Sequence, residues 1–256
     1  MAADQTPNIS NKSLNSVYRI QNIATIAKMS ALIKLDSTPD LVDRVYSALL
    51  DAISNGSLAP GARITQEEIA EQLAVSRQPV LQAFRLLKKD GFVKDAPGRG
   101  VLVSPLDAAW FAQVYEVRGA LDSLAAKLAA LRSKEPGGYK FDAALIAKGR
   151  AAAARQKVDE LITLDVAFHS AIYSAARNPL IEQSAALHWR HIRRAMGTVL
   201  QSARRDTVWD EHEAIAKAIA AGDALRAESL MQHHGQKASE HLMNQLEQLN
   251  RSQLSN

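Results

Sequence analysis

The sequence predicts a mainly α fold, with a winged helix-turn-helix near the N-terminus followed by an all-α bundle of six or seven helices. Three observations predict it. Two short apolar stripes at helical spacing, joined by a sharp link, run into two alternating three-residue segments around Ala-Pro-Gly-Arg-Gly. From Pro105 onward no further alternation occurs, and helical periodicity recurs between Gly and Pro breaks. The composition, 47% hydrophobic over 256 residues with net charge +4, suits a folded chain long enough for two cored domains.

Taken in order, residues 1–37 are rich in Asn, Ser, Thr and Gln and read as a mobile leader, although Ile20, Ile23, Ile26, Met29 and Ile33 give Tyr18 to Leu35 the periodicity of a short helix. A first domain spans 38–105. Its leading helix carries Leu41, Val45, Ala48, Leu49 and Ile53 on one face. Thr65 followed by Glu68 is a capping box that starts a second helix with Ile69, Ala70 and Leu73 inward. Ala74 and Val75 link it to Ser76, an N-cap residue, and Pro79 is harmless in the first turn, where N–H groups have no intrahelical partner. In this third helix Val80, Ala83, Phe84 and Leu87 form the buried stripe, leaving Gln78, Leu81, Gln82 and Arg85 outward with Arg77 at the start. Gly91 suits the residue after a helix end, and Phe92-Val93-Lys94 with Val101-Leu102-Val103 read as two strands that carry Gly98 and Arg99 to a wing tip.

The second domain spans 106–249, with a tail at 250–256. Asp107 caps a helix to about Ser133, with Val114, Val117, Leu121, Leu124, Ala125 and Leu128 on one face. Pro136-Gly137-Gly138 ends it. Helices follow over about 141–155, 158–176, 180–203, 207–221 and 223–249.

Composition excludes several classes of function. Without cysteine there are no disulfides, no Cys-based zinc fingers and no thiol catalysis. No long apolar run or signal pattern appears, so a cytoplasmic chain with no membrane partner is expected. Residues 40–105 hold as many acids as bases, but Arg77, Arg85, Lys88, Lys89, Lys94 and Arg99 gather on the third helix and wing, the side a groove of DNA would meet.

Four polar residues of the second domain fit metal chemistry. Asp165 and His169 stand four apart in an apolar helix and share a face; His212 opens another helix and His234 lies in the last. One carboxylate and three imidazoles from three helices suit Zn²⁺, Mn²⁺ or Ni²⁺. Spacing alone also fits an ordinary polar pair and coincidental histidines. His233 points about 100° away from His234 on an ideal helix and is the poorer ligand. A metallohydrolase is the rival reading, but His212-Glu213 is followed by Ala216 where a His-Glu-x-x-His arrangement needs a second histidine.

Residues 40–105 resemble the DNA-binding domain of the GntR family of bacterial transcription regulators, because Leu58-Ala59-Pro60-Gly61-Ala62-Arg63, Val75-Ser76-Arg77-Gln78-Pro79-Val80, Asp90-Gly91-Phe92-Val93 and Gly98-Arg99-Gly100-Val101 occur together in order. The resemblance implies DNA contacts from Arg63, Thr65, Ser76, Arg77, Gln78, Leu81, Gln82, Arg85, Gly98 and Arg99. The family usually has Arg-Glu after Pro-Val. Leu81-Gln82 stands there instead, and Leu cannot make a bidentate guanine contact, though it can pack on a thymine methyl.

Asp165-Val166-Ala167-Phe168-His169, Asn178-Pro179, Glu211-His212 with Ile215, and Met231 with His234 resemble the FCD ligand-binding domain of the FadR subfamily, and Tyr115-Glu116-Val117-Arg118 resembles its opening helix. That likeness implies a divalent metal on Asp165, His169, His212 and His234, with Zn²⁺ first and Mn²⁺ or Ni²⁺ as alternatives. Four protein ligands would leave positions open on such a metal, so a small organic acid effector is expected, with Arg118 as its second anchor unless Arg118 is tied up in an interhelical salt bridge. The function implied is a homodimeric repressor that leaves its operator when the acid binds. The alternatives are a metal-dependent activator and a DNA-binding protein whose metal is purely structural.

Overall fold

The computed structural model describes residues 41–199 and 206–254. The expected leader and its helix at Tyr18 to Leu35 lie outside the described residues, as does the start of the first domain.

Helix α1, Leu41–Ser54, opens the reader domain and buries Val45, Leu49, Leu50 and Ile53. Ala48 is exposed and Leu50 takes its expected place, because α1 is packed on two sides and its buried arc is wider than one stripe. Strand β1, Arg63–Ile64, leads into α2, Gln66–Gln72, where both halves of the Thr65/Glu68 capping box form. Leu73, expected inward, is 38% exposed at the helix end. Helix α3, Arg77–Lys89, buries Val80, Ala83, Phe84 and Leu87 as its periodicity requires.

The end of α3 is a Schellman motif: Gly91 adopts φ +82°, and the N–H groups of Gly91 and Phe92 return to the carbonyls of Lys88 and Leu87. This use of Phe92 delays the next strand by one residue. Strands β2, Val93–Asp95, and β3, Val101–Val103, pair antiparallel with Lys94 opposite Leu102. On the far side of β3 lies β1, with Ile64 opposite Val101, so the sheet has order β1-β3-β2. Two-residue β1 is too short to leave an alternation in the sequence, which is why two strands were expected and three are present.

Six helices follow among the described residues: α4 Ala108–Leu131, α5 Ala143–Ala154, α6 Val158–Ala176, α7 Pro179–Val199, α8 Asp206–Ala221 and α9 Ala224–Leu254. Asp107 and Asp142 cap α4 and α5 through their carboxylates. The expected tail at 250–256 is helical as far as Leu254, since no Gly or Pro interrupts it. The face expected to be buried on α4 is rotated: Val117 is 52% and Leu124 41% exposed, while Arg118 and Asp122 point inward with Phe111, Val114, Ala125, Ala126 and Ala129. Two charges four residues apart neutralise each other inside, and the alanines beyond them allow close helix approach.

Candidate functional site

The reader surface is built from α3 and the wing. Arg77, Gln78, Arg85 and Arg99 are exposed, and Leu81 and Gln82 are half-buried beside them. Arg85 donates to Gln82 Oε1 at 3.5 Å, and Arg77 pairs with Glu67 at 3.1 Å across the helix-turn-helix. Ser76 occupies the N-cap of α3 with no capping bond from its hydroxyl. The hydroxyl of Thr65 is taken up by its cap, accepting from Glu68 N and donating to Glu68 Oε2. Arg63 donates from Nε and Nη2 to the Arg99 carbonyl at 3.1 and 2.6 Å, thereby bracing the wing tip where Gly98 lies against its guanidinium. Sequence reasoning could not see that brace, since its partners are distant in the chain.

In the bundle, α6 supplies Asp165 and His169, α8 His212 and α9 His234. All four are buried, and the ligand atoms of the three histidines lie within 4.8 Å of one another. His212 Nε2 is 3.4 Å from His234 Nε2 and 3.3 Å from Asp165 Oδ1. Burial, with Arg118 and the neighbouring imidazoles, holds His169 well below its ordinary value, so it stays neutral, the form that binds metals. Phe168 stacks on His212 with ring centres 4.1 Å apart and fixes its plane. His233 is exposed, as its angular offset requires.

Around these donors stands a second set of side chains that the sequence did not disclose. Glu211 Oε2 accepts from His234 Nδ1 at 2.9 Å while Lys237 donates to Oε1 at 2.8 Å. Burial pulls the Glu211 carboxyl upward, but these two hydrogen bonds outweigh it and leave it below the usual range. With its proton on Nδ1, His234 turns Nε2 toward the other donors. Three converging imidazole nitrogens, with the Asp165 carboxylate set against His212 rather than gathered with all three, fit a divalent transition metal.

Arg118 is both anchored and placed at the site. Its Nε lies 2.9 Å from Asp122 Oδ2, four residues on in α4, and its guanidinium lies 3.8 Å over Trp189. Its Nη2 reaches His169 Nε2 at 3.1 Å. Asp122 also accepts from the Tyr173 hydroxyl, which in turn accepts from Trp189 Nε1 at 3.0 Å. The salt bridge lies within α4 and not between helices as expected, and Arg118 still lines the cavity. That cavity, about 380 Å³, is bounded also by Tyr115, Asp165, Met196, Glu211, His234 and Lys237. Asp122 had a legible signal, a charge four residues from Arg118 in an apolar helix. Glu211 and Trp189 had none, because their partners lie on other helices. Arg190, exposed on α7, reaches the Tyr46 hydroxyl and the buried Arg194 reaches the Ser104 carbonyl of the reader, while Arg193 is exposed.

A winged helix-turn-helix joined to an all-α domain enclosing a donor-lined cavity defines a DNA-binding transcription regulator with a sensor domain. Residues 41–103 match the family of bacterial regulatory proteins called gntR, and residues 113–237 match the FCD domain. The chain belongs to the GntR family of transcription regulators, in the branch that carries an FCD domain. Similar proteins include the uncharacterized HTH-type transcriptional regulator YdhC of Bacillus subtilis, 27% identical over 84% of this chain and 96% of that one. LutR of the same species, an HTH-type transcriptional regulator, is 29% identical over 71% of this chain and 92% of its own. The HTH-type transcriptional repressor RspR of Escherichia coli K12 is 28% identical over 58% of this chain and 64% of its own. In fold the chain is similar to McbR/YncC of Escherichia coli, with TM-score 0.66 at 22% identity over 82% of this chain and 99% of that one. A GntR regulator from Rhodococcus sp. RHA1 gives TM-score 0.63 at 24% identity, over 79% and 97%. These relatives are regulators, not enzymes, and the metallohydrolase reading falls with them. No helix among the described residues is long and apolar enough to cross a membrane.

Proposed function

We propose that the protein is a cytoplasmic homodimeric repressor whose operator binding is released by a small organic acid. The observation that carries this reading is the convergence of His169, His212 and His234, with Asp165 against His212, beside a cavity that also holds the Arg118 guanidinium. These four side chains would hold a divalent ion, with Zn²⁺ first and Mn²⁺ or Ni²⁺ as alternatives. When bound, the ion supplies a Lewis-acidic centre with positions open to a carboxylate. Arg118, kept charged by Asp122, offers that carboxylate's second oxygen a charge-assisted hydrogen bond.

On the reader side, Arg77, Gln78, Leu81, Gln82 and Arg85 of α3 face the major groove, with Ser76 at its N-terminus, while Arg99 at the wing, braced by Arg63 and turned by Gly98, reaches the backbone. Thr65 serves this surface by placing α2. Leu81 makes the operator differ from the usual family half-site at the base it faces; a selected site with guanine retained there overturns this point. Support for a dimer comes from the exposed strip of Val117, Leu124 and Leu131 on α4, which a second copy would cover, and from the two-fold operators such readers engage.

The test combines native mass spectrometry of the purified protein with titration of a carboxylate panel before and after chelation. One divalent ion per chain, acid binding that chelation abolishes, and an acid that weakens operator binding are expected. Acid binding that survives chelation removes the metal's role. An acid that strengthens operator binding makes the protein an activator.

A further inference from the structure

Helix α7 has two working faces within a single stretch of chain. Leu187, Arg190, His191 and Arg194, at helical spacing, meet the reader. Trp189, Ile192 and Met196 project into the bundle. We propose that the turn Trp189 to Arg194 is the link between sensor and reader: His191 and Arg194 position the end of the recognition helix and the wing, while Trp189 and Met196 register what occupies the cavity. The sensor half rests on the metal-and-effector reading above. The reader half stands without it.

On the reader side, the polar contacts fall on the Schellman turn that ends α3, on Tyr46 of α1 beside it, and just past β3. His191 Nε2 donates to the Asp90 carbonyl at 2.8 Å, and its ring stacks on Phe92 with centres 3.9 Å apart and planes 3° from parallel. Trp110 closes the other side of that imidazole at 4.6 Å. The Asp90 carboxylate accepts from the Tyr46 hydroxyl at 2.6 Å, and Arg190 donates to the same hydroxyl at 3.2 Å. Arg194 donates to the carbonyl of Ser104, just past β3. Asp90 therefore cannot shift relative to α7 without breaking its bond to His191 and, if Tyr46 moves with it, the Arg190–Tyr46 bond as well.

On the sensor side, Trp189 lies beneath Arg118 and 4.9 Å from the ring of His169. Its Nε1–H is tied through Tyr173 to Asp122, the counter-ion of Arg118. A carboxylate that draws the Arg118 guanidinium toward the cavity must loosen its stacking on Trp189, one residue from Arg190 and two from His191. The docked arrangement is also poised to change. Arg194 is 2% exposed, and among the described residues no carboxylate pairs with it and no acceptor meets its Nε. A guanidinium desolvated against one carbonyl makes this interface costly to hold closed, as a two-state element requires.

Hydrogen exchange read by mass spectrometry on the full chain tests the link, comparing the wild type with His191→Ala and Tyr46→Phe. The latter removes only the hydroxyl shared by Asp90 and Arg190, and it decides if His191→Ala fails to fold. In one arm a duplex selected from a random pool by the wild-type protein is added. It should alter exchange in the wild type both at α3 and around Tyr173 and residues 187–196, and the second response should be lost in the variants. A wild-type response confined to the reader, or one unchanged in the variants, overturns the link. In the other arm Zn²⁺ alone is added to chelated protein. Responses at α6, α8 and α9 together with Leu86 to Phe92 support the link. Responses at the three helices alone, with Leu86 to Phe92 silent, overturn it. If Zn²⁺ changes nothing anywhere, the metal reading fails, and the duplex arm decides the link without it.

Discussion

Asp122→Asn should weaken the sensor domain far more than its chemistry suggests. The carboxylate is 2% and its partner Arg118 4% exposed, at 2.9 Å, so water cannot replace what the substitution removes. Burial works against both charges: it pushes the Asp122 carboxyl up despite Arg118, while Asp122, ahead of Tyr173, Tyr115 and Asp165, keeps Arg118 ionised inside the bundle. Removing one partner of such a pair costs about 3–5 kcal/mol, because the remaining charge is buried alone. In a domain of this size that corresponds to a fall in Tm of about 6–20 °C. Urea and thermal unfolding of chelated protein would measure it without interference from bound metal. The double variant Arg118→Met with Asp122→Leu should recover most of the loss, since an apolar pair of similar volume leaves no stranded charge. It should also lack the cationic anchor and fail to respond to any acid. A change below about 1 kcal/mol for Asp122→Asn would refute the picture of a dry, mutually dependent pair.

Other outcomes follow from single observations. Gly100→Ala places a Cβ 2.3 Å from the Ile64 carbonyl at a φ of +87°, so β1 and β3 must part. Operator affinity should fall at least about tenfold in gel shifts while bundle unfolding is unchanged, and normal affinity would contradict the wing's role. Arg99→Ala should lower the slope of log affinity against log salt by about one; an unchanged slope would mean that the wing tip meets no phosphate. Acid should destabilise the protein earlier than its carboxylates predict. Burial lowers His191 to about 4, against the Asp90 carbonyl and beside Arg194, and His169 is lowered as well. The unfolded chain takes up these protons near pH 6.5 and the folded one refuses them, so stability is full above that pH and declines down to about 4. His191 alone contributes as much as about 3 kcal/mol to that decline. Melting curves from pH 7.5 to 5 should show the fall and His191→Gln should flatten it; equal slopes would remove His191 as the cause.

Most of the reader was readable from its residues because its order is local. Thr65 with Glu68, Gly91 with Phe92, and the stripe Val80, Ala83, Phe84 and Leu87 each act within a few positions, so spacing and residue type carry the information. The four candidate donors could be named because Asp165 and His169 share one turn and the histidines fall in a motif, and three of them, His169, His212 and His234, lie together. The outward face of α4 was misjudged. Val117 and Leu124 have the right period for a core stripe, but apolar periodicity cannot tell which of two faces a bundle encloses when Arg118 and Asp122 neutralise each other inside.

Helix positions, caps, turn glycines and the family were settled by short-range steric and hydrogen-bonding preferences, which each stretch of chain expresses alone. The coupling of parts was not. Glu211 orients His234 across two helices, Trp189 lies under Arg118 from a third, and His191 meets Asp90 a hundred residues upstream. Such pairs exist only once packing has chosen which helix faces which. That choice is made by close-packed volume and by the need to satisfy every buried polar group together, conditions that belong to the whole assembly and to no segment of it.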